Sequence, residues 1–551
     1  MAVLPFANLS DGRESAFFAD GVQGEILTDL AKVAELKVIS RASVMPYRSD
    51  APRDLRQIAA ALGVTHLLEG SVQRAGGTVR VHAELTDART GAQLWAEKYD
   101  RPLDDVFAIQ SDIAQAIADQ LQVRLTAREK AAVEERPTAD LAAYDLYLRA
   151  KELFDESEPR NTEAKKAVPE MVRLLDEAVA RDPKFVTAYY LLTRIHEEAH
   201  WYNFDPSPAR EALAEETLAA ATRLRPDAGE AHLARAVHIY HHYDYAGALH
   251  ELDLAARTLP NNADIPFYRG SIFRRQGRPE ECVREYGKSI SLNPRGKYVL
   301  SQLAISQLGM HRFDDVKRTL DRLIAIAPGD VYLRADRLKI DLYSHADPRA
   351  SLAGIPPLLN GGPEAAEGAL SNALELALCT RDAALGEHAL AVTSAPEITC
   401  DMLGQDFPRA YFEGLIARLA GDDARAQAAF EQARRVMEPR IAETPDNAVR
   451  LIIIGMIDTG LGRKADAVRE GERCLQVLRQ MGDRFLEPYC TTLLAAIYAN
   501  TGEKDLALAR LGEVVNRPGN AYYGFLRLHP LWDPLRGDER FEALVRQSAP
   551  P

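Results

Sequence analysis

Cysteine is scarce in this chain, and the five present, Cys282, Cys379, Cys400, Cys474 and Cys490, are dispersed, odd in number and never spaced as C-x-x-C. That leaves no cysteine-built metal site and suits a reducing compartment. Blocks of basic charge are missing too. With a formal net charge of −14 and a pI of about 5.5, no patch is expected to neutralise a phosphate backbone, and nucleic acid is not expected as a direct partner. The opening MAVLPFANLS has no basic leader and is interrupted by Pro5, and the most apolar later run, LIIIGMI from Leu451 to Ile457, falls far short of a bilayer span. The expectation is a cytoplasmic chain without a membrane segment. G-x-x-x-x-G-K, G-x-S-x-G and kinase signatures do not occur either, so catalysis has no support in the sequence and no cofactor is expected.

What is present is enough apolar matter for several cores: 46% of 551 residues are hydrophobic. The first 126 residues mix two periodicities. AVLPF reads as a short buried strand, Phe18, Val22, Ile26 and Leu30 mark one face of a helix, LKVIS reads as a second strand, and RDLRQIAAALG as a helix ended by Gly63. From Thr65 to Asp100 three strands follow. Val79, Val81, Ala83 and Leu85 alternate with Arg80, His82, Glu84 and Thr86 as in a half-buried antiparallel ribbon, with turns at Gly76-Gly77 and between Asp87 and Gly91. A third helix carries Val106, Ile109, Ile113, Ile117 and Leu121. Residues 1–126 are expected to be a small α+β domain, and the charged, apolar-poor segment 127–140 a linker or exposed helix extension.

Beyond it strand signals almost vanish and a repeat appears. Pro226, Pro260, Pro294 and Pro328 lie 34 residues apart, the period of the tetratricopeptide (TPR) helix pair. In the clearest unit Gly270 permits close helix packing, Phe273 and Tyr286 fill the space between paired helices, and Pro294 ends the second helix. Pro183 precedes Pro226 by 43 residues, which implies a nine-residue insertion, placed near NFDPSP. The register is followed over 141–349, weakens through 350–405, and returns over 406–551, where Gly414, Gly421, Ala426 and Phe430 match again; roughly nine helix pairs are expected. The fold class is thus a small α+β N-terminal domain followed by an all-α TPR superhelix, an α-α solenoid.

The segments AVLPFANLSDGRESAFFADGVQGEILTDLAKVAELKVISRASV, LGVTHLLEGSVQRAGGTVRVHAELTDARTGAQLWAEKYDRPLDDVFAIQSDIA and AAYDLYLRA resemble the TolB-like amino-terminal domain that precedes TPR arrays in bacterial signalling proteins, and HPLWDPLRGDERFEALV resembles their closing segment. The resemblance implies a regulatory module that follows an effector: a class III adenylate cyclase, a winged-helix regulator or a kinase. This chain departs from that pattern by opening at the first strand, so no effector activity carries over. A regulatory portion of such a protein is the alternative reading.

One stretch speaks for an enzyme. His196-Glu197-Glu198-Ala199-His200 fits H-E-x-x-H, in which two histidines four apart on a helix hold zinc and the glutamate activates water. Only Glu215 and Glu216, on the next expected helix, could be invoked as a further ligand, and the histidines fall on a repeat helix. A metalloprotease is therefore the remote alternative, and no catalytic or metal-binding residue is expected. A second cluster, His232, His238, His241 and His242, could hold adventitious metal; packing is the expectation.

The leading expectation is a non-enzymatic module that binds a protein or peptide in the concave TPR groove, with homo-oligomerisation left open. The register gives groove positions Leu233, Val237, Tyr240 and His241, then Phe267, Ser271, Arg274 and Arg275, then Tyr298, Ser301 and Ile305. The partner they suit has apolar anchors and an acidic group near Arg274 and Arg275.

Overall fold

The computed structural model describes residues 1–10, 13–48, 53–75, 77–102, 105–156, 162–201, 204–205, 207–400 and 405–550. It is mostly helical with a small N-terminal sheet. Contacts divide it into two compact units, one of Met1–Ile272 with Arg284–Val299, the other of Phe273–Val283 with Leu300–Pro551.

The first unit opens on strands β1 (Ala2–Val3) and β2 (Ala7–Asn8), both parallel to β3 (His66–Ala75), which continues antiparallel to β4 (Thr78–Asp87) and β5 (Ala92–Pro102). The alternation expected on β4 holds over its first part: Val79, Val81, Ala83 and Leu85 are buried and Arg80 and His82 exposed, but Glu84 is half-buried and Thr86 is buried. Helices α1 (Arg13–Ala31), α2 (Arg41–Val44), α3 (Leu55–Leu62) and α4 (Val106–Gln120) complete the α/β part, and Ile26 and Leu30 share one core with Ile109, Ile113 and Ile117. Gly63, left-handed at φ 65°, ends α3 as its position suggests.

Two expectations here need correction. LKVIS is not a strand: Val38 and Ile39 are buried, but the backbone there bonds elsewhere, Ile39 N–H to the Met1 carbonyl at 3.0 Å and Ser40 N–H to the Leu292 carbonyl at 2.8 Å. A short apolar run looks the same whether or not it joins a ladder. Nor is 127–140 merely a linker. A capping box between Thr126 and Glu129 starts α5 (Ala127–Val133), and Val133 is buried in the N-terminal core while its carbonyl accepts from Ser111 Oγ at 3.0 Å. The turn at Gly76-Gly77 falls partly on residue 76, outside the described residues.

Helix pairs follow: α6 (Leu141–Glu156) with α7 (Thr162–Arg181), α8 (Val186–Trp201) with α9 (Pro208–Leu224), α10 (Gly229–His241) with α11 (Tyr245–Ala255), and α12 (Asp264–Arg275) with α13 (Pro279–Leu292). The extra residues of the α8/α9 repeat lie largely in longer helices, 16 and 17 residues against 13 and 11 in α10 and α11. Within this unit Asn261 accepts from Val38 N–H at 3.2 Å and donates to the Ala31 and Val33 carbonyls, and Ser43 bonds Asn293 at 2.6 Å and accepts from Arg295 N–H at 3.0 Å.

In the second unit the pairs continue as α14 (Lys297–Gly309) and α15 (Phe313–Ile326), α16 (Val331–His345) and α17 (Arg349–Leu359), and α18 (Pro363–Thr380) and α19 (Ala383–Ala391). First helices begin at Gly229, Asp264, Lys297 and Val331, 33 to 35 residues apart, so the proline period is the period of the helix pairs. A two-stranded hairpin, β6 (Glu397–Cys400) with β7 (Gln405–Pro408), interrupts the array where the sequence pattern weakens. Nothing in the periodicity predicts it. Then come α20 (Arg409–Leu419) and α21 (Asp423–Glu443), α22 (Ala448–Gly460) and α23 (Lys464–Met481), and α24 (Leu486–Thr501) and α25 (Lys504–Val514), making ten pairs among the described residues, one more than expected. Helices α26 (Tyr523–Leu528) and α27 (Glu539–Gln547), flanking a 3-10 turn at Pro530–Leu535, close the chain around the fully buried Trp532.

Phe430 illustrates what the small residues do. Its buried ring lies where a Cβ on Gly414 or on Gly460 would stand 2.7 or 2.8 Å from it. Gly414→Val is expected to destabilise the second unit by about 2 kcal/mol, because an overpacked ring must leave its rotamer. A denaturant midpoint equal to that of the parent would contradict this packing.

Candidate functional site

The H-E-x-x-H stretch lies on α8, and its side chains diverge. His196 is buried, and its Nδ1 lies 2.8 Å from Nη1 of Arg210 on α9; since guanidinium only donates, that nitrogen is an acceptor. Glu197 points to α10 instead, where His238 Nδ1 approaches one carboxylate oxygen at 2.7 Å and His241 Nδ1 the other at 2.9 Å. Both oxygens are thereby engaged by the second histidine cluster, and the Trp201 ring stacks on His241 at 4.6 Å. Burial alone would raise the Glu197 carboxyl, but the hydrogen bonds from His238 and His241 hold it down at about 2. Among the described residues no three His, Cys, Asp or Glu side chains are grouped to hold a metal ion. The glutamate of the first cluster thus meets two histidines of the second, His238 and His241, in a carboxylate clasp between neighbouring repeats.

The clasp and its neighbour respond to pH in opposite senses. Hydrogen bonding to Glu197 raises His238, so its contribution is complete below the unfolded value of about 6.5 and is lost as pH rises through the folded value. His196 is pushed down to about 4, first by burial and then by Arg210, so the unfolded chain takes up this proton first and stability is lost as pH falls from 6.5 towards 4. His196→Gln, which keeps an acceptor for Arg210, should reduce the acid sensitivity of the urea midpoint over that interval by an amount on the order of 2 kcal/mol. Parallel curves for parent and variant would show that the imidazole is not held neutral.

The groove positions read from the register do not form an open face. Leu233, Val237, Tyr240, Phe267, Ser271 and Arg274 are buried, and His241, Arg275, Tyr298, Ser301 and Ile305 are half-buried. The buried ones are drawn into the packing between helices. Phe267 stacks on Tyr286 at 5.8 Å and meets Tyr298 at 5.2 Å, while Ser271 bonds the Phe267 carbonyl and the Tyr286 hydroxyl. His241 belongs to the clasp.

Arg274 and Arg275 lead to a cavity. In the second unit the end of α12 meets the start of α24: Arg275 pairs with Asp483, its carbonyl accepts from Arg484 N–H at 2.8 Å, and Asp483 accepts from the Phe485 and Leu486 N–H groups just before and at the start of α24. The Arg274 guanidinium lies 4.5 Å from the Phe485 ring centroid and donates to Gln302 at 2.8 Å. Gly277, at φ 74°, makes the α12/α13 turn, and a Cβ there would meet Arg484 at 3.0 Å. These segments enclose about 330 Å³, walled by Phe485, Pro488, Tyr489 and Met310 with Arg274, Arg484 and Arg517; among the described residues no acidic one lines it. Glu487 nearby is shared by Arg479, Arg484 and Arg517 at 3.1, 2.9 and 3.8 Å. Burial opposes ionisation of Glu487, and the hydrogen bonds from Arg479 and Arg484 outweigh it, lowering its pKa. Phe485, Tyr489 and Arg517 have no signal in the repeat register, because they come from the start of α24 and the segment after α25, more than 200 residues beyond Arg274.

No protein-family model matches the chain. A stretch of 152 residues is 45% identical to the putative adenylate cyclase 3 of Rhizobium meliloti (strain 1021), covering 28% of this chain; the chain spans about a quarter of that relative's length, 26%. Among solved structures it is similar to a thermophilic TPR protein of Thermus thermophilus, 18% identical over 36% of this chain and 100% of that one, TM-score 0.30. It is also similar to a tetratricopeptide repeat protein of Parabacteroides merdae, 14% identical over 58% and 98%, TM-score 0.27, and to the human IFIT1 dimer with PPP-AAAA, 12% identical over 74% and 77%, TM-score 0.34.

Proposed function

We propose that this chain is a non-enzymatic interaction module whose helix-pair array binds a protein or peptide. The observation that carries it is the run of helix pairs at a 33-to-35-residue spacing, which buries its small and aromatic residues in packing and leaves the carboxylate of its one enzyme-like motif engaged by histidines. Arrays of this build work by presenting rigid, repeated surface to a chain segment rather than by assembling a reactive centre. Panning a random peptide library against the full chain, followed by calorimetry on synthetic copies of the selected peptides, should give one-to-one binders with micromolar dissociation constants. A folded chain that selects no sequence would count against the module.

A second reading has one specific support, the 45% identity to the putative adenylate cyclase. In it the same module regulates a cyclase or other effector and makes no cyclic AMP itself. Cyclic AMP formed from ATP by the purified chain would overturn both readings.

A further inference from the structure

We infer that the arginine-walled cavity of the second unit is the anchor point for an extended acidic peptide of a partner protein, which seats a carboxylate against Arg484 and Arg517 and an adjacent apolar side chain against Phe485 and Tyr489. The inference rests on the interaction-module reading and adds the place and the chemistry. Charge is its first support. In a chain of net charge −14, this cavity has three arginines and, among the described residues, no acid in its lining, and Glu487 nearby is divided among three guanidiniums. One shared carboxylate leaves an excess of positive charge, which an incoming carboxylate neutralises with paired N–H donors.

Shape is the second support. The volume of about 330 Å³ holds side chains rather than a domain surface, and its walls are mostly apolar. It runs into a second depression of about 480 Å³ that shares Pro279, Gly309, Met310, Arg517 and Pro518, carries the acidic Glu280 in its lining and extends towards Ser548. Two confluent hollows with one polar and one apolar requirement suit an extended segment better than a single compact ligand. The walls are also fixed. Gly519 N–H bonds the Gly309 carbonyl at 2.8 Å, and Gly309 leaves room for the Tyr489 hydroxyl, which a Cβ would meet at 2.8 Å. Preformed walls lower the ordering cost of binding.

Arg484 and Arg517 are exposed, so reversing them tests the site without emptying a core. The probe is a fluorescent, end-capped peptide of about ten residues with three glutamates around one phenylalanine, titrated by anisotropy into the full chain; its counterparts carry lysine for glutamate or alanine for phenylalanine. The acidic peptide should bind, each counterpart should bind at least about tenfold more weakly, and Arg484→Glu and Arg517→Glu should each weaken the acidic peptide by about tenfold or more. The exposed Arg435→Glu should bind as the parent does. Melting curves keep loss of fold apart from loss of binding. Equal affinity for the lysine peptide, no binding of the acidic peptide, or unchanged affinity in folded Arg484→Glu and Arg517→Glu overturns the inference. A library-selected peptide that ignores both variants would leave the module reading intact and remove only this site.

Discussion

Replacing Gly524 by alanine is expected to release the C-terminal cap from the helix array, at a cost of about 3 kcal/mol or more. A Cβ on Gly524 would stand 1.7 Å from the Leu342 carbonyl oxygen, 2.8 Å from its carbon and 3.1 Å from the Tyr343 Cα. All three are backbone atoms of α16, so no side chain can move aside, and α26 must shift as a body. What α26 carries is large. Phe525, Leu526 and Trp532 are buried, Trp532 lies edge-on to Phe525 at 5.9 Å and stacks on Phe541 at 6.1 Å, and Tyr522 stacks on Tyr343 at 4.9 Å. Undocking would wet Trp532, so the variant should show red-shifted tryptophan emission and an early unfolding step. Parent-like emission and melting would mean that α26 does not seat against α16 at this glycine.

Glu197→Leu should be nearly as damaging for an electrostatic reason. The carboxylate is buried and receives both His238 and His241; removing it strands two imidazoles, one of them raised by that carboxylate, in a site built for a negative charge. Breaking a buried pair on one side costs about 3 kcal/mol, much of it the desolvation of what is left. Replacing His238 by glutamine in the Glu197→Leu background should then cost far less than it does in the parent, since its partner is already gone. Additive losses in that double-mutant cycle would mean that the clasp does not couple the two repeats. Glu197→Gln keeps one acceptor and should lose less than leucine does.

The repeats are legible in the sequence because their signals are local. Four prolines mark the pair length, Gly63 ends α3, and the alternation on β4 needs only ten neighbouring residues. The departures share another cause. LKVIS has strand composition, but its backbone partners are Met1 and Leu292, neither of which lies near it in sequence. The hairpin β6–β7 is four residues to a strand, below what a periodicity can register. The groove positions follow from the register by analogy to a face, whereas burial depends on what the neighbouring helix places there: Leu233 and Val237 have no exposure at all. Arg274 and Arg275 stand out in the sequence as basic positions, but the aromatic wall beside them comes from Phe485 and Tyr489, and nothing within one repeat points to those.

The ties between the N-terminal part and Asn261, Leu292, Asn293 and Arg295 have a consequence for how the first unit is made. Val38, Ser43 and their partners are separated by 223 to 252 residues. At a synthesis rate of roughly 5 to 20 residues per second, the α/β part is complete roughly 10 to 35 seconds before the last of those partners exists. Through that interval the Ser40 and Val38 amides have only water to bond. The nascent chain therefore holds a nearly finished domain with one unsealed seam, and a ribosome pause before residue 295 prolongs its exposure to chaperones and proteases.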